Sequence, residues 1–222
     1  APKIYLLVAL SVIGLVALSV FAAVLETRTL TQSRATELKS VIDSVESIMA
    51  DIESRDLTRE EKLDAFRAVV QPLRFRGNEY IFAYLSDGTG VAHGAKPALI
   101  GKNLWDVQDP TGLYLLREIV KVAKADPAGG VVQYMWPKGQ SETPVPKTSY
   151  VKRFAPWDIT IGTGIYDDDL QAELMEIYID LAIGVGIVLA ALVGLGIAIS
   201  RNIAGPLTRV TAAINRLADN DL

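Results

Sequence analysis

Aromatic and cationic side chains are concentrated in the middle of the 222-residue sequence, around segments that read as β-strands. Aromatic walls with a few convergent polar groups are typical of a small-molecule pocket, and a cation inside such a pocket favours a carboxylate ligand. A buried carboxylate must be paired, so Lys147 or Arg76 is the expected charge partner. The candidate ligand-binding residues are Arg76, Tyr80, Tyr84, His93, Trp105, Tyr134, Trp136, Lys147 and Tyr150.

The alternation of side chains along a strand limits which of these residues can lie in the same pocket. Strict alternation puts Lys147 and Tyr150 on opposite faces of a sheet, so one of them lies at an irregular strand end or outside the pocket. The alternative to a ligand pocket is that the aromatic residues of the set form a hydrophobic core and the cationic residues lie in solvent. For His93 the alternative to a ligand contact is a polar residue at a strand edge. Alternation places two aromatic pairs on common faces, Tyr80 with Tyr84 and Tyr134 with Trp136.

Catalytic motifs are absent from the sequence, which has no phosphate-binding glycine loop, no H-E-x-x-H and no cysteine. His93 is the only histidine, which excludes a multi-histidine metal site within one chain. We therefore predict neither an enzyme nor a cofactor. The run 167–169 holds three aspartates, which we interpret as the start of a helix in preference to a calcium site, because a helix N-terminus favours negative charge.

Two charge-free apolar runs bracket this region, Ile4–Leu25 and Leu181–Ser200, of 22 and 20 residues. As helices each would span about 30 Å, the thickness of the hydrocarbon core of a bilayer. Residues 26–177 carry a net charge of −5, whereas the remaining basic residues all lie on the far flanks of the runs. Positive flanks favour the cytoplasm, so the sequence predicts a two-pass membrane protein with both termini inside and the middle segment outside.

The segment between the runs predicts an α+β fold. A helical stripe at Leu38, Val41, Val45, Ile48 and Ile52 indicates a long helix that packs on its own domain, on a partner helix, or on both. Thr58 and Glu61 form a capping box for a second helix ending near Val70. Short turns between consecutive strands imply an antiparallel sheet. Strands are predicted at about 80–85, 91–93, 131–136, 147–154 and 158–165, with a helix at 113–125.

Small residues recur every fourth position in the second apolar run, which favours close helix–helix packing. After Arg201, Leu207, Val210, Ile214 and Leu217 step by three and four, a spacing typical of a coiled coil. The small residues are Ala182, Gly186, Ala190, Gly194 and Ala198.

The middle segment resembles the single Cache domain, second subtype, of bacterial chemoreceptors and sensor kinases. Residues 201–222 look like the first helix of a HAMP module, marked by Pro206-Leu207 and Asp221-Leu222. One departure is that Gly94-Ala95-Lys96 separates His93 from the proline that often follows it directly in the family. The segments that carry the Cache resemblance are 80–84, Gly88, 92–93, 101–104, 109–112, 134–138, 146–152 and 156–166.

The resemblance implies a PAS-like antiparallel sheet on a long N-terminal helix, and characterised members often bind acetate, propionate, pyruvate or lactate. It divides the chain into transmembrane helix 4–25, sensor domain 26–177, transmembrane helix 178–200 and HAMP helix 201–222. We expect a homodimeric methyl-accepting chemotaxis receptor in the bacterial inner membrane, signalling to a cytoplasmic kinase and adaptor. The alternatives are the same sensor on a histidine kinase or cyclic-dinucleotide enzyme, and a membrane protein whose outer domain binds another protein.

Overall fold

A computed structural model describes residues 2–139 and 141–199 of the chain. The described residues form two compact units, one of residues 2–29 with 174–199 and the other within residues 30–173. The second unit holds the whole sheet. The predicted HAMP helix lies outside the described residues.

Four α-helices are described, and the first and last enter both units. The capping box of α2 is present, since the Glu61 amide donates to Thr58 Oγ1 and the Thr58 amide donates to the Glu61 carboxylate at 2.8 Å. α4 begins at Asp167, so the three aspartates occupy its first turn as the charge pattern predicts. The helices are α1 (Pro2–Glu53), α2 (Arg59–Val70), α3 (Leu115–Ala125) and α4 (Asp167–Ile199).

The sheet has five antiparallel strands in the order β2-β1-β5-β4-β3. This order brings the last strand along the chain to the centre, between the first hairpin and the second. The predicted α+β class, with an antiparallel sheet packed on a long N-terminal helix, is confirmed. The strands are β1 (Ile81–Leu85), β2 (Gly90–His93), β3 (Gly130–Pro137), β4 (Pro144–Phe154) and β5 (Ile159–Tyr166).

The apolar stripe of α1 packs on one face of this sheet. Leu38, Val45 and Ile52 are at most 2% exposed, and Val41 and Ile48 pack against the same core cluster. The structure shows that the stripe packs on its own domain, and additional packing on a partner helix stays a prediction. The face that α1 covers takes alternate strand residues, including Ile81, Ala83, Tyr150, Phe154, Ile159 and Ile161.

The opposite face of the sheet is covered by α3 and is much richer in aromatic side chains. Leu115, Leu116 and Ile119 of α3 pack on it and are at most 3% exposed. Because strand side chains alternate, this face receives the residues of β1, β3 and β4 that α1 does not contact. These include Tyr80, Phe82, Tyr84, Val132, Tyr134 and Val151.

The other unit contains the two apolar helical segments, and α1 and α4 are each long and apolar enough to cross a membrane. Within it, the hydroxyls of Thr27 and Tyr178 lie 2.6 Å apart. The small-residue ladder of α4 is exposed along its whole length. A Cβ built on Gly186 or Gly194 meets no atom within 4 Å, so both glycines have open space beside them in the described part of the chain.

Candidate ligand-binding site

The aromatic cavity lies between α3 and the sheet, and it is almost completely filled. Its volume is about 10 Å³, which leaves room for about one water molecule. The walls come from three strands and one helix, so residues far apart in sequence converge on it. They are Tyr80, Phe82, Tyr84, His93, Leu115, Leu116, Ile119, Tyr134 and Trp136.

Lys147 of β4 lies beside this cavity and is 1% exposed. Its Nζ lies 4.0 Å from the centre of the Tyr80 ring and 4.5 Å from that of Tyr166, and it has no hydrogen-bond partner among the described residues. Burial, opposed by the charge of Glu79, lowers the pKa of this ammonium to about 7. Two ring faces attract a cation but do not replace its lost hydrogen bonds, so Lys147 is an electrostatically unsatisfied cation.

Glu79 is the second unsatisfied ionisable group in this region. It is 6% exposed, and its Oε2 has no hydrogen-bond partner among the described residues. Burial raises the pKa of the carboxyl to about 7, while the charge of Lys147 and the backbone amide of Tyr166 oppose that rise. No sequence pattern pointed to Glu79, because it precedes β1 and its importance comes from what is packed around it.

His93 closes the aromatic cavity from β2. Its ring lies 4.8 Å from the Tyr80 ring and 5.9 Å from the Trp136 ring, and its Nδ1 accepts a hydrogen bond from the Lys96 amide at 3.0 Å. Burial and the nearby charge of Lys147 lower the pKa of His93 to about 3. The imidazole is therefore neutral at physiological pH and can offer a hydrogen bond without adding charge.

Phenolic hydroxyls supply the other polar groups. The hydroxyls of Tyr134 and Ser149 lie 2.9 Å apart, and those of Tyr80 and Tyr166 lie 3.4 Å apart. Burial raises the pKa of Tyr80, Tyr84, Tyr134 and Tyr166, so all four stay protonated. The Tyr166 hydroxyl also donates to the Pro137 carbonyl at 3.0 Å, which ties the end of β5 to the end of β3.

Glycines of β5 make this side-chain arrangement possible. A Cβ on Gly162 would collide with the Phe82 ring, and one on Gly164 would lie 2.6 Å from the Thr148 carbonyl oxygen. The central strand therefore has no side chains where Phe82 and Ser149 need space. The sequence shows both glycines, but only the sheet order reveals what they face.

An outer cavity of about 380 Å³ opens beyond Tyr80 and Tyr166. Arg76 lines it from a loop, with a positive φ of 44°, and pairs with Glu37 and Glu173. Lys138 lines it from the end of β3 and pairs with Asp168 and Asp169 at 3.1 and 2.6 Å. The basic side chains of this cavity are therefore already neutralised by carboxylates.

The structure brings six of the nine predicted site residues together and separates three. Arg76 lies in the outer cavity. Trp105 is partly buried at the edge of the α3-side cluster, where the Arg117 guanidinium carbon lies 5.8 Å from its ring centre. Tyr150 lies on the α1 face, and its hydroxyl donates to the Ala128 carbonyl, as strict alternation requires. The six that converge are Tyr80, Tyr84, His93, Tyr134, Trp136 and Lys147, and their role in binding stays a prediction.

Comparison with protein-family models decides the assignment, since the model for Single Cache domain 2 matches residues 30–180. The chain belongs to this family. The match covers the unit that contains the sheet and both cavities, and the predicted Cache resemblance is thereby confirmed.

Relatives place the Cache domain in receptors. The chain is 34% identical over 196 residues to the methyl-accepting chemotaxis protein McpP of Pseudomonas putida, covering 86% of this chain and 36% of that protein. It is 33% identical over 106 residues to the sensor histidine kinase MctS of Rhizobium johnstonii, covering 48% of this chain and 23% of that protein. The chain thus spans 36% and 23% of the length of these two relatives.

Solved structures agree with the fold. A periplasmic sensor domain of a chemotaxis protein superposes with a TM-score of 0.59 at 28% identity, covering 61% of this chain and 96% of that one. A Cache chemosensory domain studied for carboxylic acid recognition gives 0.59 at 27% identity, covering 63% and 97%. Together with the two apolar helices, these matches fit a membrane protein with a periplasmic Cache domain.

Proposed function

We propose that this Cache domain is the sensor of a chemoreceptor that detects a small monocarboxylate of two to four carbons outside the cell. The observation that carries the proposal is the buried Lys147 ammonium, which faces aromatic rings and lacks any hydrogen-bond partner among the described residues. A buried cation is unfavourable unless it is paired and hydrogen-bonded. A ligand carboxylate supplies both the charge and the acceptors.

Of the two cations considered from the sequence, Lys147 is the better partner for a ligand. Arg76 already forms ion pairs with Glu37 and Glu173, and 29% of its side chain is exposed. A carboxylate at Arg76 would have to displace these pairs in a partly solvated place, where ion pairs contribute little. At Lys147 it would displace none.

The size of the aromatic cavity limits the ligand and requires a change of shape. A volume of about 10 Å³ cannot hold even acetate without movement of the walls. Ligand binding therefore favours a second arrangement of the side chains around Tyr80, Trp136 and α3. In our proposal this second arrangement is the signal, and α4 carries it as a small displacement to a HAMP module.

The relatives support this ligand class and two kinds of output. The structural neighbour studied for carboxylic acid recognition has the same fold, and McpP is a methyl-accepting chemotaxis protein. We infer a homodimer with both termini in the cytoplasm that acts on a kinase through an adaptor. The kinase MctS among the relatives supports the alternative that the same sensor controls a histidine kinase.

Calorimetric titration of acetate, propionate, pyruvate and lactate into the chain in lipid nanodiscs tests the proposal. Lys147→Met should weaken binding at least about 30-fold, because removing one partner of a buried charge pair costs roughly 2–5 kcal/mol. The matched control is Lys152→Met, on the other face of β4, where Nζ pairs with Asp43 and Glu46; its affinity should be unchanged.

A second pair of variants tests the cavity itself. Tyr134→Phe should weaken binding, whereas Tyr150→Phe should not, because the Tyr150 hydroxyl lies on the α1 face. Full carboxylate affinity in Lys147→Met would refute the charge assignment. Binding of a protein partner but of no carboxylate would favour the third class, a domain that recognises another protein.

A further inference from the structure

Two buried ionisable groups, Lys147 and Glu79, both contact Tyr166, and they form no hydrogen bond with each other among the described residues. Lys147 lies opposite Tyr166 in the β4–β5 ladder, and its Nζ packs on the Tyr166 ring. Glu79 interacts with the same residue, since the Tyr166 backbone amide is one of the groups that lower the pKa of its carboxyl. The two groups are close enough to influence each other's charge, yet Nζ of Lys147 and Oε2 of Glu79 each lack a hydrogen-bond partner among the described residues.

The charges of Lys147 and Glu79 determine the electrostatic environment of a ligand that binds beside Lys147. One ammonium and one carboxylate are each at least nine-tenths buried, the ammonium against two neutral rings and the carboxylate near the ion-paired Lys138 and Asp169. An entering carboxylate adds a second negative charge beside a single cation. In surroundings of low dielectric constant, two carboxylates next to one ammonium retain a net charge, which is unfavourable unless one more proton is bound.

We propose that the site takes up one proton with each carboxylate that it binds, and that the Glu79–Lys147 pair holds this proton. The inference rests on the proposed function, since it requires a carboxylate at Lys147. The reaction balances as one ligand anion and one proton from solvent entering together, with no bond to carbon made or broken. The domain then responds to the concentration of the acid, that is, to the product of anion and proton concentrations.

The titration ranges of the pair support the stoichiometry. Burial raises the pKa of Glu79 and lowers that of Lys147, so the two pKa values approach each other. The pair can therefore bind one proton more than an ammonium and a carboxylate hold together, and a ligand anion favours that protonated state. As the pH falls towards about 5.5, the pair gains this proton without the ligand, and uptake should decrease.

Of the ionisable groups that face the pair, His93 is the one that could compete for this proton. Its pKa is lowered to about 3 by burial and by the charge of Lys147, and a bound anion would partly cancel that charge. The tyrosines are already protonated, because burial raises the pKa of each hydroxyl. The other ionisable groups in contact with the pair include Tyr80, Tyr134, Tyr166, Lys138 and Asp169. Asp109 and Asp167 line a cavity with Lys147, and the ion-paired Arg34, Arg76 and Glu173 line the outer cavity with Glu79.

Calorimetry of propionate binding to the full chain in nanodiscs measures the proton directly. Titrations at about pH 7 in Pipes and in imidazole, whose ionisation heats differ, give the number of protons bound per ligand. We expect about one at pH 7, fewer at about pH 5.5, and an affinity that falls about tenfold per pH unit above pH 7. His93→Gln should retain this uptake, whatever its affinity.

The outcomes separate this inference from the proposed function. Propionate binding with the same heat in both buffers at pH 7 would overturn proton uptake while leaving the carboxylate sensor standing. Loss of uptake in His93→Gln, with binding retained, would assign the proton to the imidazole and overturn the pair. Failure of the wild-type chain to bind any carboxylate would instead refute the proposed function.

Discussion

Replacing Lys147 by Met should stabilise the ligand-free protein while destroying its site. Methionine has a similar length and fills the same space beside Tyr80 and Tyr166 without a charge. Burial lowers the pKa of Lys147 from 10.5 to about 7, whereas the unfolded chain keeps the ordinary value. At pH 7 the buried lysine therefore reduces the free energy of unfolding by an amount on the order of 4 kcal/mol, from about 1.4 kcal/mol per pKa unit.

The sign of the pH dependence follows from the same shift. A lysine whose folded pKa is lowered binds fewer protons when folded than when unfolded between about pH 7 and 10.5. The wild-type protein therefore gains stability as the pH rises through this window, by roughly 3 kcal/mol between pH 7 and 9.5. Lys147→Met lacks this gain, so its advantage over the wild type should be largest at pH 7 and shrink towards pH 9.5.

Thermal unfolding followed by tryptophan fluorescence is a suitable assay, because Trp105, Trp136 and Trp157 all lie in the Cache unit. For a domain of this size, the roughly 4 kcal/mol expected at pH 7 corresponds to an increase in Tm of about 8–16 °C. Lys152→Met is the control with the opposite sign, since it removes an ion-paired lysine and should lower Tm. If Lys147→Met melts no higher than the wild type at pH 7, the buried cation is satisfied and our reasoning about the site fails.

Two further predictions concern glycines. Gly164→Ala should reduce the free energy of unfolding by roughly 1–3 kcal/mol in chemical denaturation, because the new Cβ would lie 2.6 Å from the Thr148 carbonyl oxygen; unchanged stability would mean that β5 can shift freely. Gly186→Leu and Gly194→Leu should impair signalling in cells while the carboxylate affinity in nanodiscs stays unchanged. The reason is that the exposed small-residue ladder of α4 can pack against a second copy of the helix, which a leucine would prevent. Normal signalling by both variants would place the ladder against lipid.

The two-residue alternation of strand side chains predicted those features of the site that depend on a single strand. The pairing of Tyr134 with Trp136, and the separation of Lys147 from Tyr150, both follow from the two-residue repeat. That repeat does not reveal which face carries the cavity, because the answer depends on where α3 and α1 dock. The sheet order, with β5 in the centre, depends on the same long-range packing.

Residues outside strands were harder to place. Arg76 has a side chain suited to binding a carboxylate. Its partners Glu37 and Glu173 lie 39 and 97 residues away in sequence, so the sequence does not reveal that these glutamates neutralise its charge. Glu79 was missed for the opposite reason, since an isolated glutamate between loop residues reads as solvated. Ion pairs explain the outcome for Arg76 and burial explains that for Glu79, and both depend on tertiary contacts that no local pattern encodes.

The junction of β5 with α4 has no loop, since Tyr166 ends the strand and Asp167 begins the helix. The Tyr166 ring packs against the Lys147 ammonium, and its hydroxyl donates to the Pro137 carbonyl. The residues that follow it directly form the first turn of α4, where Asp168 and Asp169 pair with Lys138. The wall of the site and the start of the helix are therefore neighbours along one backbone, so a ligand that displaces Tyr166 must also displace the residue from which the first turn of α4 begins.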